Sequence, residues 1–167
     1  KALGISEIKG HVRYIPTQTS YSLADRTAEL ERVPMCLDQG VGIIPYFPLA
    51  GGILTGKYNG QAGIPSGSRA DTDPSFNRFL LEHNVRLGEQ VSEKAAEYGC
   101  SPSVLSLAWL LARPAVSTVI VGATRTEQLE HNLASLSLEL TPDMITELDQ
   151  LSDSFRHGEP FASYRLE

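Results

Sequence analysis

Gly42-Ile43-Ile44-Pro45-Tyr46-Phe47-Pro48-Leu49-Ala50-Gly51-Gly52-Ile53-Leu54-Thr55-Gly56-Lys57-Tyr58 changes character at its middle. Residues 41–46 are apolar and β-rich, the composition of a strand buried on both faces. Residues 47–76 read as loop, with Gly51, Gly52, Gly56, Gly60, Gly63 and Gly67 interleaved with Pro48, Pro65 and Pro74. Loops this long are usually functional or disordered. Upstream, residues 28–38 are predicted helical, because Leu30, Val33, Cys36 and Leu37 recur at three- and four-residue spacing and Gly40 supplies a stop. Pro34 is awkward there and predicts a kink or a shifted start. Residues 14–18 and 1–6 read as two more strands, with about seven residues between them, too few for a helical crossover.

Downstream, residues 79–98 carry Leu80, Asn84, Leu87, Val91 and Ala95 along one side of a predicted helix that Gly99 ends. Ser101-Pro102 is an N-cap followed by proline at the first helical position. The helix over 103–112 is apolar on nearly every side and should be deeply buried. Ser117-Thr118-Val119-Ile120-Val121 reads as the clearest strand, and Gly122-Ala123 turns out of it. Thr124 and Glu127 suggest a capping box for a helix over 126–136. A last helix starts at Thr141-Pro142-Asp143, with Met144, Ile145, Leu148 and Leu151 as its apolar face. Apolar strands alternating with helices imply an α/β fold with a parallel sheet.

The chain has 167 residues, 41% of them hydrophobic, and a formal charge of −6. That balance argues against a general nucleic-acid or anionic-membrane surface, since both need net positive potential. Two cysteines, Cys36 and Cys100, are too few for a disulfide scaffold or a four-cysteine zinc site, and both read as buried thiols. No apolar run approaches the ~18–20 residues of a membrane span, and no signal peptide is visible. A cytoplasmic setting is expected. His11, His83, His131 and His157 are scattered, without metal-ligand spacing, so no metal site is expected.

Three strand-to-loop junctions could carry chemistry. Gly51–Lys57 matches G-x-x-x-x-G-K, but Tyr58 stands where a phosphate-binding loop needs a hydroxyl for Mg²⁺, and more loop follows where a helix should start. At Val121-Gly122-Ala123-Thr124-Arg125-Thr126-Glu127-Gln128, a small-residue turn enters a helix beside an arginine. This is either a site for a phosphate monoester or an ordinary capped helix with a solvated arginine. At Ile44-Pro45-Tyr46-Phe47-Pro48-Leu49, the strand-end aromatic either stacks on a planar ligand or caps the core.

Taken together, these runs resemble the C-terminal half of an aldo-keto reductase. Residues 42–58 look like the family's seventh strand and following loop, and residues 119–133 like its eighth strand and following helix. Gln18-Thr19-Ser20-Tyr21-Ser22-Leu23 looks like the sixth-strand motif Q-x-x-Y-x-L. The nearest subgroup is the one holding bacterial reductases and potassium-channel beta subunits. The resemblance implies a (β/α)8 TIM barrel of which residues 1–167, as one domain, cover strands five to eight, with the N-terminal half outside this sequence. It implies reduction of small carbonyl substrates, aldehydes or ketones, with NADP(H).

The resemblance also implies roles. Tyr46 would stack on the nicotinamide and Gln18 would bind its carboxamide. The backbone around Phe47, Pro48, Leu49 and Gly51 would hold the pyrophosphate, with Lys57 and Arg69 nearby. Gly122, Thr124, Arg125 and Gln128 would hold the adenosine 2′-phosphate, and Asn132 the adenine. Gly4-Ile5-Ser6-Glu7 resembles the fifth-strand end G-x-S-N, which offers Ser6 as a further carboxamide contact. Phe155, Phe161 and Tyr164 are candidate pocket residues in the tail. The family's catalytic Asp, Tyr, Lys and His belong to its first four strands, so no catalytic residue is assigned here. The alternative is a catalytically inactive half-barrel that binds nucleotide or assembles with a partner, including a second copy of itself.

Overall fold

The computed structural model describes residues 1–58 and 63–158. Strands β1 (Pro16–Ser20) and β2 (Gly42–Tyr46) pair in parallel, from Pro16 opposite Gly42 to Ser20 opposite Tyr46. Between them lie a short 3-10 turn, Thr27–Glu29, and helix α2 (Arg32–Gln39). The split into turn and helix answers the problem of Pro34. It falls in the first turn of α2, where a missing N–H costs no intrahelical bond. Gly40 ends α2 in the left-handed conformation.

A third extended run lies beside β2 on the side away from β1. Ile43 donates to the Ala115 carbonyl at 2.7 Å and accepts from the Ser117 N–H at 3.0 Å. Residues 117–121 nevertheless do not form a regular strand, and the reason is Pro45. It has no N–H to donate, so the next rung of the ladder is missing. Its carbonyl is then taken by the Ile120 N–H at 3.0 Å, where an unbroken parallel ladder would use Val119.

The N-terminal expectation is corrected. Residues 1–6 are not a strand, because Ala2–Lys9 form helix α1, closed by Gly10 in the left-handed conformation. The helix satisfies its backbone internally, whereas a strand here would need a pairing neighbour. Leu3 of α1 packs on a small cluster of Cys36, Val41, Ile43 and Ala115.

Most of the core lies under helices α4 (Glu82–Glu97), α5 (Pro102–Leu111) and α7 (Pro142–Leu151). Trp109, Tyr21, Leu23, Ile53, Leu54, Phe76, Leu87, Val91 and Leu148 meet there. As expected, α5 is buried on nearly all sides, and Ser101 caps it by accepting from the Val104 N–H. Helix α6 (Thr126–Leu133) is followed by a 3-10 turn, Ala134–Leu136. The expected Thr124–Glu127 capping box is absent. Arg125 takes the cap position, and Thr124 lies outside the helix, where its N–H and hydroxyl both donate to Gln128 Oε1.

The segment after β1 is tied to α5 and α7 by ionic groups in the core. The guanidinium of Arg26 (4% exposed) donates to both carboxylate oxygens of Glu29 at 2.8 Å, to the Asp149 carbonyl at 2.6 Å and to Ser152 Oγ at 3.1 Å. Asp149 in turn accepts from Trp109 Nε1 and from Arg113, whose guanidinium lies 4.1 Å from the Trp109 ring centre. The Tyr21 hydroxyl donates to Glu29 at 2.9 Å. Burial, then the neighbouring Glu29 charge, pushes the Tyr21 phenol far above its ordinary range.

Removing Glu29 would leave Arg26 buried without its main counter-ion. Glu29→Ala is expected to cost about 3 kcal/mol of stability in urea unfolding at neutral pH. A loss below about 1 kcal/mol would mean that the pair is worth no more than an exposed one. A second ionic tie, between α4 and α7, is exposed and sensitive to pH. Glu147 accepts from Lys94 Nζ at 2.7 Å and from the Tyr98 hydroxyl at 2.8 Å, and these bonds hold its carboxyl below the usual range. A depressed folded-state pKa stabilises above the unfolded value of about 4.3 and is lost as pH falls through the folded one. The stability gap between wild type and Glu147→Gln should therefore be flat above about pH 6 and close towards about pH 3. Chevron-free equilibrium unfolding across that range measures it, and a gap that widened on acidification would contradict the sign.

Candidate functional site

Parallel strands end on the same side of a sheet, so the C-terminal ends of β1 and β2 form one edge of a site. Side chains alternate along a strand, which puts Gln18 and Ser20 on one face with Ile44 and Tyr46. The opposite face, with Thr19, Ile43 and Pro45, is buried. On the first face Gln18 is exposed, Ile44 and Tyr46 are half-buried, and Ser20 is buried. The structure thus brings Gln18 and Tyr46 together on the more open face. The Tyr46 carbonyl is engaged by the Tyr21 N–H at 3.4 Å, which links the two strand ends.

Beyond Tyr46 the backbone coils tightly through a 3-10 segment, Ala50–Thr55. Phe47 (φ 57°) and Ala50 (φ 48°) occupy the left-handed region although neither is glycine. Such residues cost about 1–2 kcal/mol each and concentrate at functional sites. Pro48 and Ala50 are buried, while Leu49 is half-buried and packs against the main core. Gly51 is also left-handed, and a Cβ built on it would lie 2.2 Å from Cε2 of Phe76. Lys57 folds back over Gly52, and its Nζ lies 5.1 Å from the Tyr58 ring centre.

Tyr58, at the hydroxyl position of the near-match to a phosphate loop, is a core residue. It is 3% exposed, and its hydroxyl accepts from the Ala70 N–H at 3.3 Å. It secures the start of the segment that carries α3 (Arg69–Thr72) and a 3-10 turn, Pro74–Phe79. Arg69 is exposed, with its guanidinium 5.6 Å from the Phe47 ring centre and 5.7 Å from that of Phe76.

The second arm of the site comes from the run beside β2. The Ile120–Pro45 hydrogen bond sets this run against the end of β2, and Gly122 follows two residues later. Gly122, Thr124 and Arg125 are exposed at the start of α6. Gln128 and Asn132 share one face of α6 at i, i+4 spacing, and Asn132 is 8% exposed. The Thr124–Gln128 bonds pre-set that entrance.

Lys57, Arg69 and Arg125 share one property. No carboxylate among the described residues pairs with any of them, which is equally true of Lys1, Lys9, Arg13, Arg32 and Arg86, while Arg26, Lys94, Arg113 and Arg156 are ion-paired. In a chain of net charge −6, the two cations beside the turn after β2, Lys57 and Arg69, favour an anionic ligand there. Among the described residues no group of three or more His, Cys, Asp and Glu is placed to hold a metal ion. No helix among them is long and apolar enough to cross a membrane.

Some predicted residues are not brought into the site. Ser6 is buried within α1, not at a strand end. Because Leu3 packs beside Val41 and Ile43, α1 docks where β2 begins, away from Tyr46. Phe155 is tied to the ionic core, since its carbonyl accepts from the Arg26 N–H at 2.8 Å. Phe161 and Tyr164 lie outside the described residues. Phe76 was not anticipated. It sits in a segment read as loop, and the only sequence signal for it is the apolar trio Phe76, Phe79 and Leu80.

The model of the Aldo/keto reductase family matches residues 3–153. The uncharacterized oxidoreductase YrpG of Bacillus subtilis (strain 168) is 32% identical over 152 residues, which is 90% of this chain and 44% of that protein. A probable voltage-gated potassium channel subunit beta of Arabidopsis thaliana is 33% identical over 160 residues, covering 92% of this chain and 48% of that protein. The chain spans about half the length of these relatives.

The contact between Gly51 and Phe76 can be isolated with a matched control. Gly67 has a similar φ of 71°, but a Cβ there would meet nothing within 4 Å. Gly51→Ala should therefore cost about 2 kcal/mol more than Gly67→Ala in thermal or urea unfolding. Equal costs would mean that the ring does not rest on Gly51.

Proposed function

The chain belongs to the aldo/keto reductase family, and from that premise we propose that it supplies the cofactor-binding half of an NADP(H)-dependent reductase of aldehydes or ketones. The observation that carries this reading is the tight turn 47–52 that follows Tyr46, with the Lys57 side chain over Gly52 and the Arg69 guanidinium 5.6 Å from the Phe47 ring, neither cation paired with a carboxylate among the described residues. A phosphorylated dinucleotide has a flat ring for the aromatic and anionic groups for the cations.

In this reading Tyr46 stacks on the nicotinamide and Gln18 binds its carboxamide. The turn at Phe47, Pro48, Leu49 and Gly51 lies along the diphosphate, with Lys57 and Arg69 supplying positive charge. Gly122, Thr124, Arg125 and Gln128 take the 2′-phosphate, where a helix N-terminus adds a favourable dipole. Asn132, on the same helix, takes the adenine. When bound, the nicotinamide supplies the hydride. What these residues add is orientation, which holds the reactive ring at the open face of the sheet. Reduction of a carbonyl also needs a proton donor, and none is assigned among these 167 residues.

A complete (β/α)8 barrel takes about 250 residues. We assign the remaining strands to sequence outside this chain, where they would pair the outer edge of β1 and cover the face bearing Gln18, Ile44 and Tyr46. The free thiols Cys36 and Cys100 support a reducing, cytoplasmic setting.

The 2′-phosphate contact gives the test. In the full-length protein, Arg125→Ala should weaken NADPH binding about tenfold or more and leave NADH within about twofold, since one charge-assisted contact to phosphate is lost. Fluorescence titration measures both. Equal weakening of the two would remove Arg125 from the phosphate site.

A further inference from the structure

We propose that Phe47 and Phe76 are positioning residues that hold the Arg69 guanidinium in place for the diphosphate of a dinucleotide. This rests on the cofactor reading above and adds to it the device that makes Arg69 effective.

An exposed arginine ordinarily loses much rotamer freedom when it engages an anion, and that loss weakens binding. Here the guanidinium lies over two rings, at 5.6 Å and 5.7 Å, within the ~6 Å reach of a cation–π contact. A ring face engages the flat side of a guanidinium and leaves its N–H edge free to donate. The rings are themselves fixed. Phe76 is 2% exposed, wedged against Gly51, with Tyr58 and Phe79 at 6.1 Å and 5.3 Å between ring centres. Phe47 meets Tyr46 edge-on at 6.1 Å.

The local carboxylates are directed elsewhere. Asp71 accepts from the Gly67 N–H at 2.7 Å, and Asp73 accepts from the Ser75 N–H at 3.0 Å. Neither pairs with Arg69. The cation is therefore restrained without being neutralised. Phe47 belongs to the turn after β2 and Phe76 to the following segment, so the guanidinium also joins the two pieces of chain that flank the proposed diphosphate.

The test is a double-mutant cycle on NADPH affinity in the full-length protein. Leucine keeps apolar bulk at either phenylalanine and removes the π face. Arg69→Met should weaken binding about tenfold. Phe76→Leu and Phe47→Leu should each weaken it about threefold, and should weaken NADH equally, because both cofactors carry the diphosphate. On the Arg69→Met background, Phe76→Leu should have almost no further effect. Full multiplication of the two effects, or no effect of either leucine variant, overturns the proposal. Phe47 is half-buried, so its variant keeps the cycle usable if Phe76→Leu fails to fold, with melting temperature as the check. If wild type does not bind NADPH, the cofactor reading falls and this proposal with it. If wild type binds and Arg125→Ala discriminates the cofactors while the leucine variants are silent, this proposal alone is wrong.

Discussion

Everything around the site depends on the clamp at Arg26. Two paired strands cannot hold a fold together, and the segment leaving β1 must be fastened to something larger. Arg26 fastens it. One guanidinium joins Glu29 on its own turn, the Asp149 carbonyl near the end of α7 and Ser152 just beyond it. Through Asp149 the tie continues to Trp109 and Arg113. Tyr21, one residue past β1, is both a core ring against Trp109 and a donor to Glu29. The end of β1, where the site begins, is thereby set by groups more than a hundred residues away in sequence. Such a network gains less from its charges than from answering most of its buried polar groups, with Arg113 Nε left without a hydrogen-bond partner among the described residues.

The helices with strong periodicity were readable from the chain. Val91, Ala95, Leu105 and Leu110 are buried as their spacing required, because burial against a core is what selects that spacing. Short and irregular pieces were not readable. The 3-10 turns Ala50–Thr55 and Pro74–Phe79 are too brief to print a period, so a stretch with real internal structure looked like loop. Residues 1–6 carry the composition of a strand, yet the choice between helix and strand there turns on whether a partner strand is beside them, which composition does not encode. The cap of α6 failed for a finer reason. Thr124 has the right chemistry, but Gln128 competes for its hydrogen bonds.

The site divides in the same way. Tyr46, the glycines and Lys57, Arg69 and Arg125 could be picked out because charge, aromaticity and backbone freedom are properties of single residues. Phe76 could not, since its importance lies in a contact with Gly51 across the fold. Ser6 shows the converse. A residue chosen for matching a strand-end pattern loses that meaning once its backbone is helical.

Pro45 carries a consequence of a different kind. Its missing hydrogen lets the neighbouring run advance by one residue before rejoining β2 at Ile120. One residue is half the repeat of an extended chain, so the advance reverses which side of the sheet each later side chain faces. Gly122 and Arg125 take their positions after that reversal. An absent atom in the middle of one strand therefore sets the phase of the chain that enters α6, and with it the direction from which the arginine meets whatever lies above the sheet.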